Sequence, residues 1–317
     1  MPSGRVAHRV ARPAFVLAVL AGLAVYLRAE GPAFADAVGR TSAWAVVASL
    51  LAVLVGLLCS ALVWRSLLRD LGSDLPLGPA LHVFFLGQLG KYVPGSVFAV
   101  AAQMELGREH GVSRSRVGTA SLLFMGVLVA TGLLVAAATL PLSSPGALDA
   151  YGWVLLALPL GLVCLAPLVL SRLVGVGLRV LRRAPLDRPL SARGLGAAVG
   201  WSLAMWAAYG VHAWLLLRAQ PVPDDPALPL LAVGAYALAW TVGFLVVVAP
   251  AGGGAREAAL VVALAPVLAE PDALAVAVLS RVVMTAGDLL WGGAGAVLGR
   301  RAVPAVDVKP TRRAADA

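Results

Sequence analysis

Val248-Ala249-Pro250-Ala251-Gly252-Gly253-Gly254-Ala255-Arg256-Glu257-Ala258-Ala259-Leu260 interrupts a region that otherwise reads as membrane-spanning. Proline removes a backbone donor and three consecutive glycines remove side-chain restraint, so a continuous helix is not expected here. Arg256 and Glu257 place two charges beside the break. At membrane depth, irregular backbone is tolerated only where protein or a water-filled cavity surrounds it, and ionisable side chains there point to function.

The surrounding composition sets the solvent. The chain has 317 residues, 60% of them hydrophobic and 13% charged, with a mean hydropathy of +0.90. Several apolar runs reach the roughly 20 residues needed to cross a bilayer. This pattern predicts an all-α, polytopic membrane helix bundle. The expected layout is one membrane domain over residues 1–300 and a disordered cytosolic tail over 301–317. The formal charge of +9 is assigned to membrane topology, not to nucleic acid. Cys59 and Cys164 lie in apolar runs and read as small buried hydrophobes. The four histidines show no metal-ligand spacing, and no cofactor motif is present.

A second break occurs earlier in the chain. Gly87-Gln88-Leu89-Gly90-Lys91-Tyr92-Val93-Pro94-Gly95-Ser96 divides the stretch 77–108 into two pieces too short to span comfortably. Pro94-Gly95 is turn chemistry, and Ser96 can cap the second piece. The expectation is a re-entrant hairpin of two half-helices.

About six full helices are expected around the breaks: 13–27, uncleaved because Arg28 and Glu30 follow it, then 42–64, 117–140, 151–170, 195–217 and 273–298. With the N-terminus inside and both breaks read as hairpins, inside segments hold nineteen Lys/Arg and outside segments three. That bias predicts cytoplasmic N- and C-termini in a cell membrane. Reading 227–269 as two full crossings leaves the same final orientation, so charge does not separate the two. The halves, about 12–145 and 150–300, each run helix, helix, broken segment, helix, and the second is inverted. Paired Gly/Pro-interrupted segments in corresponding positions point to a transport site near the midplane.

Gly90-Lys91-Tyr92-Val93-Pro94-Gly95 together with Pro250-Ala251-Gly252-Gly253-Gly254-Ala255-Arg256-Glu257-Ala258 resembles the two signature stretches of the lysylphosphatidylglycerol synthase transmembrane family. The resemblance extends over roughly residues 12–300. The glycine run at 252–254 is shorter and plainer than the family's usual second motif. The resemblance implies a flippase-like membrane domain that moves lipids between leaflets, without the soluble aminoacyltransferase domain of the complete synthases. It also allows for a separate lipid-modifying enzyme as partner. Nothing in the sequence sets an oligomeric state.

The chemistry expected of such a site is anion binding. Half-helix N-termini at each break present free N–H groups and positive dipole ends. Lys91 and Arg256 sit at those ends, and Arg281 and Asp288 lie seven residues apart on one face of the last helix. The expected substrate-binding set is Lys91, Tyr92, Arg256, Glu257, Arg281 and Asp288, with Gln88 and Gln103 as polar lining. Pro94, Gly95, Pro250, Gly252, Gly253 and Gly254 form the hairpin tips. The ligand class is an anionic phospholipid or a polyprenyl-phosphate-linked lipid. Glu105 reads as an interfacial partner of Arg108, and Trp44, Trp64, Trp153 and Trp201 as interfacial anchors. Gly292, Gly293, Gly295 and Gly299 read as close helix packing. No catalytic constellation is visible. The competing readings are a membrane-embedded transferase acting on a lipid phosphate, with Glu105 or Glu257 as acid/base, and a transporter of a small soluble anion.

Overall fold

A computed structural model describes residues 32–92, 98–143, 147–180, 190–246 and 254–302. The expected first helix, most of both hairpin tips (Pro94, Gly95, Pro250, Gly252 and Gly253) and the tail from residue 303 lie outside the described residues.

Among the described residues the fold is all-α. A helix over 32–40 (α1) leads into α2 (Ala43–Asp70), α3 (Leu77–Gln88) and α4 (Phe98–Glu109). Then come α5 (Arg114–Thr139), the short α6 (Ala147–Tyr151), α7 (Ala157–Leu165) and α8 (Pro167–Val180). The chain closes with α9 (Ala192–Leu217), α10 (Leu228–Leu245), α11 (Ala255–Leu264) and α12 (Glu270–Ala302). Three long helices start on a serine cap. The hydroxyls of Ser42, Ser113 and Ser191 accept from the N–H groups of Ala45, Arg116 and Gly194 at 3.2, 3.4 and 2.9 Å. Each hydroxyl satisfies one donor that the first helical turn leaves unpaired.

Four segments are long and apolar enough to cross a bilayer: Ala43–Asp70, Arg114–Leu142, Leu228–Leu245 and Glu270–Gly299. The 26-residue α9 is also long enough to cross, and it carries Ser202, Trp206, Tyr209 and His212, all buried. It packs against α2, α10 and α5, so its polar tips face protein.

The expected continuous helix over 151–170 is not observed. Gly152–Val163 and Leu168–Val176 are bent by 80° at a short break. Ala166, the residue before Pro167, sits at ψ 126°, outside the helical region. The Pro167 ring disfavours helical geometry in its predecessor and cannot donate to continue the ladder.

The two broken regions differ in reach. α3 and α4 have 12 residues each, about 18 Å at 1.5 Å per residue, against a hydrocarbon core of about 30 Å. They pack side by side at glycines. A Cβ on Gly87 would lie 2.2 Å from Gln103 Cγ, and one on Gly90 would lie 2.8 Å from Ala99 Cα. In the second region the 18-residue α10 qualifies as a span, whereas α11 has only 10 residues, about 15 Å. α11 folds back against α10, where Gly243 admits the Arg256 backbone: a Cβ there would lie 2.6 Å from Arg256 Cβ.

Trp64 belongs to the core, not to the interface. It is fully buried and donates from Nε1 to Ser121 Oγ at 3.1 Å, whereas Trp44, Trp153 and Trp201 are exposed. The glycines of α12 divide similarly. Gly292, Gly295 and Gly299 lie against Leu89, Leu86 and His82, but Gly293 has nothing within 4 Å of a Cβ and is not a packing position.

Candidate functional site

α12 is a 33-residue rod, and both broken regions reach it. Arg281 and Asp288 lie about 16 and about 27 Å from its first residue, so both fall along its middle. They do not pair with each other. Each takes a partner from a different broken region.

After α3 the chain tightens into a 3-10 turn, Leu89–Tyr92, which turns Lys91 and Tyr92 toward α12. Lys91 Nζ lies 2.7 Å from Asp288 Oδ2, and the Tyr92 hydroxyl donates to the same oxygen at 2.6 Å. The Asp288 side chain is 5% exposed and that of Lys91 is 30% exposed. The carboxylate is therefore sealed while its cation keeps an open side.

At the second region Gly254 adopts φ 83°, ψ −54°, a geometry that L side chains rarely adopt. That turn aims the Gly254 N–H at Glu257 Oε2, 2.6 Å away, and closes the first turn of α11. The other oxygen, Oε1, lies 3.6 Å from Arg281 Nε. Glu257 thus neutralises the helix start and bridges to α12 at once.

Arg256 points elsewhere, as adjacent helical positions must. It is buried, donates to the Tyr236 hydroxyl, and stacks its guanidinium over that ring at 4.8 Å from the centroid. Among the described residues no carboxylate lies within ion-pair distance of Arg256. The cluster therefore holds Lys91, Arg256 and Arg281 against Glu257 and Asp288, one positive charge in excess.

Gln88 is half-buried one turn before Lys91, with no hydrogen bond to the charged groups among the described residues. Gln103 is not brought to the cluster. It is 3% exposed, and its Oε1 accepts from Ser121 Oγ at 2.6 Å, in the network that also takes Trp64. Glu105 is at the opposite end of α4, exposed, and clasped by Arg114 and Arg108 at 2.6 and 3.0 Å. Hydrogen bonds from Arg114 first, then Arg108, hold its carboxyl below the ordinary 4.5.

Sequence reasoning missed Tyr236, Ser280 and His212. Tyr236 and His212 are fully buried with rings 5.4 Å apart, edge to face. Ser280 lies between them: its Oγ is 2.9 Å from His212 Nε2 and faces the Tyr236 hydroxyl. The available signal was a lone histidine and tyrosine inside apolar helices, which composition reads as ordinary core.

The chain matches the family described as Lysylphosphatidylglycerol synthase TM region over residues 13–292. No curated protein matches it. The match covers most of the chain, and the chain belongs to that family. Together with the long apolar helices, this makes it a multi-pass membrane protein of a lipid-related family.

Proposed function

We propose that this member of the lysylphosphatidylglycerol synthase TM region family is a lipid translocase. In this reading it moves an anionic phospholipid or a polyprenyl-phosphate-linked lipid between leaflets of the cell membrane. The head group enters a polar site between the two broken regions while the acyl or prenyl tails stay in the bilayer. The termini are cytoplasmic, about six helices span, and the two halves are inverted copies. A midplane site between such halves is the arrangement expected of alternating access.

The observation that supports this reading is the convergence of both interrupted segments on the middle of α12 with an excess positive charge. Arg256 is the cation held by a neutral hydroxyl and ring, so it can exchange Tyr236 for a phosphate oxygen without abandoning a carboxylate. Lys91 is partly open and is the second contact. The transferase reading is weakened because Glu105 is exposed and doubly paired, and Glu257 is engaged at the turn of α11.

The test is reconstitution into liposomes with fluorescent phosphatidylglycerol and, separately, a polyprenyl phosphate, reading transbilayer movement. Lys91→Ala and Arg256→Ala are expected to slow movement of at least one lipid by tenfold or more. Wild-type rates in both variants for every lipid would remove the site. Uptake of soluble anions without lipid movement would instead favour the small-anion transporter.

A further inference from the structure

We propose that His212 is a proton-binding site coupled to the occupancy of Arg256, so that an anion taken by Arg256 is accompanied by a proton taken by His212. The inference rests on the reading of Arg256 as an anion contact and adds to it a source of energy.

The imidazole is 0% exposed and held at both nitrogens by hydroxyls. Ser49 Oγ of α2 lies 2.6 Å from Nδ1, and Ser280 Oγ of α12 lies 2.9 Å from Nε2. A hydroxyl both donates and accepts and rotates to suit. Two hydroxyl partners therefore satisfy the ring when it is neutral, with one N–H, and when it is cationic, with two. Carbonyls at both nitrogens would have demanded the cation, and backbone N–H groups at both would have excluded it.

The second observation is the shared ring. Arg256 lies on the Tyr236 ring at 4.8 Å, and His212 meets the same ring at 5.4 Å. The guanidinium and the imidazole are therefore within about 10 Å, and at an effective dielectric of about 20 each alters the other's charging equilibrium by about tenfold. The other ionisable neighbours are placed differently. On α12, Arg281 and Asp288 are engaged with Glu257 and Lys91. α10 contributes Tyr236, and α9 itself contributes Tyr209. α2 offers Ser49 and, further along, Cys59, and α5 carries no Asp, Glu, Lys, Arg or His beyond its first turn. Arg256 is therefore the charge to which His212 is most directly exposed.

While Arg256 stands uncompensated, it opposes a proton on His212. An anion on Arg256 removes that opposition and leaves burial as the main cost of the charged ring, so the ring takes a proton about tenfold more readily. Linkage makes the effect reciprocal: acid strengthens anion binding by the same factor. The anion then crosses as a neutral pair, and a proton gradient supplies the direction.

The experiment uses the full chain in detergent, weakly buffered at steps from pH ~4 to ~7. Dioctanoyl phosphatidylglycerol is the lipid probe and sodium sulfate the free-anion probe. Binding is read by calorimetry and proton uptake by an indicator dye. The expected result is uptake of a fraction of a proton per chain on binding in wild type, at most about half for a tenfold coupling, and none in His212→Gln that still binds. If His212→Gln does not fold, Ser280→Ala removes one hydroxyl and keeps the ring, and it should lower the uptake at least twofold. Binding without uptake, or uptake unchanged in both variants, overturns the coupling and leaves the anion site standing. Absence of binding by both probes overturns the site and the coupling together. Coupling seen with sulfate but not with the lipid keeps the proton site and removes the lipid.

Discussion

Lys91 Nζ lies 2.7 Å from Asp288 Oδ2, yet the two side chains are unequally buried, 30% and 5% exposed. The pair therefore breaks asymmetrically. Removing the cation strands a sealed carboxylate with the Tyr92 hydroxyl as its remaining donor among the described residues. Removing the acid leaves a lysine free to reach toward water. Lys91→Met is expected to cost about 2 kcal/mol, below the 3–5 of a fully buried pair, and Asp288→Asn about 1 kcal/mol. The double variant should recover part of the loss. Thermal unfolding in detergent, read by tryptophan fluorescence, checks the order, and equal losses would contradict it.

Tyr236→Phe removes the acceptor of a buried guanidinium and keeps the ring. An unsatisfied buried donor costs about 1–3 kcal/mol. The guanidinium should then hold an anion more tightly, because its resting partner is gone. Calorimetric affinity for dioctanoyl phosphatidylglycerol is expected to rise several-fold while stability falls. A fall in both would mean that Tyr236 positions Arg256 for the anion.

Gly254→Ala places a Cβ at φ 83° and should cost about 1–2 kcal/mol through backbone strain alone. Gly293→Ala, with open space around it, should cost nothing measurable. Comparing the melting temperatures of the two variants separates a conformational requirement from the general sensitivity of membrane glycines.

Glu105 gives a pH prediction with a definite sign. Arg114 and Arg108 lower its folded carboxyl below the ordinary 4.5, so the unfolded chain binds its proton more readily. Its contribution is present at neutral pH and is lost as the pH falls through the lowered value. Glu105→Gln should melt slightly below wild type at pH 7, with the difference fading as the pH falls through that lowered value. Lipid movement should be unchanged, since the group is exposed and far along α4 from Lys91. Loss of all turnover in Glu105→Gln would revive the transferase reading.

The two interruptions were legible because proline and glycine alter backbone options whatever surrounds them. The charges beside them were legible because hydrocarbon makes any charge conspicuous. Their partners were less so. The seven-residue spacing of Arg281 and Asp288 shows a shared face, but which carboxylate each cation meets depends on how the broken segments lean on α12. Gln103 has the polarity of a lining residue, yet a contact from α5 claims it. Trp64 sits near the end of an apolar run, which is where anchors sit, and its burial follows only from packing against α3 and α5. Tyr236 and His212 read as ordinary core in the sequence, since their role comes from α9, α10 and α12 meeting. The bend at Pro167 was available from proline chemistry but was hidden by the uniform hydrophobicity of its flanks.

Because Arg281 and Asp288 ride on one uninterrupted rod, the two broken regions are harnessed to a common shaft. A twist or slide of α12 that loosens one grip strains the other about 10 Å away along the axis. Such a linkage has few independent settings: a shift at one broken region is carried to the other through α12.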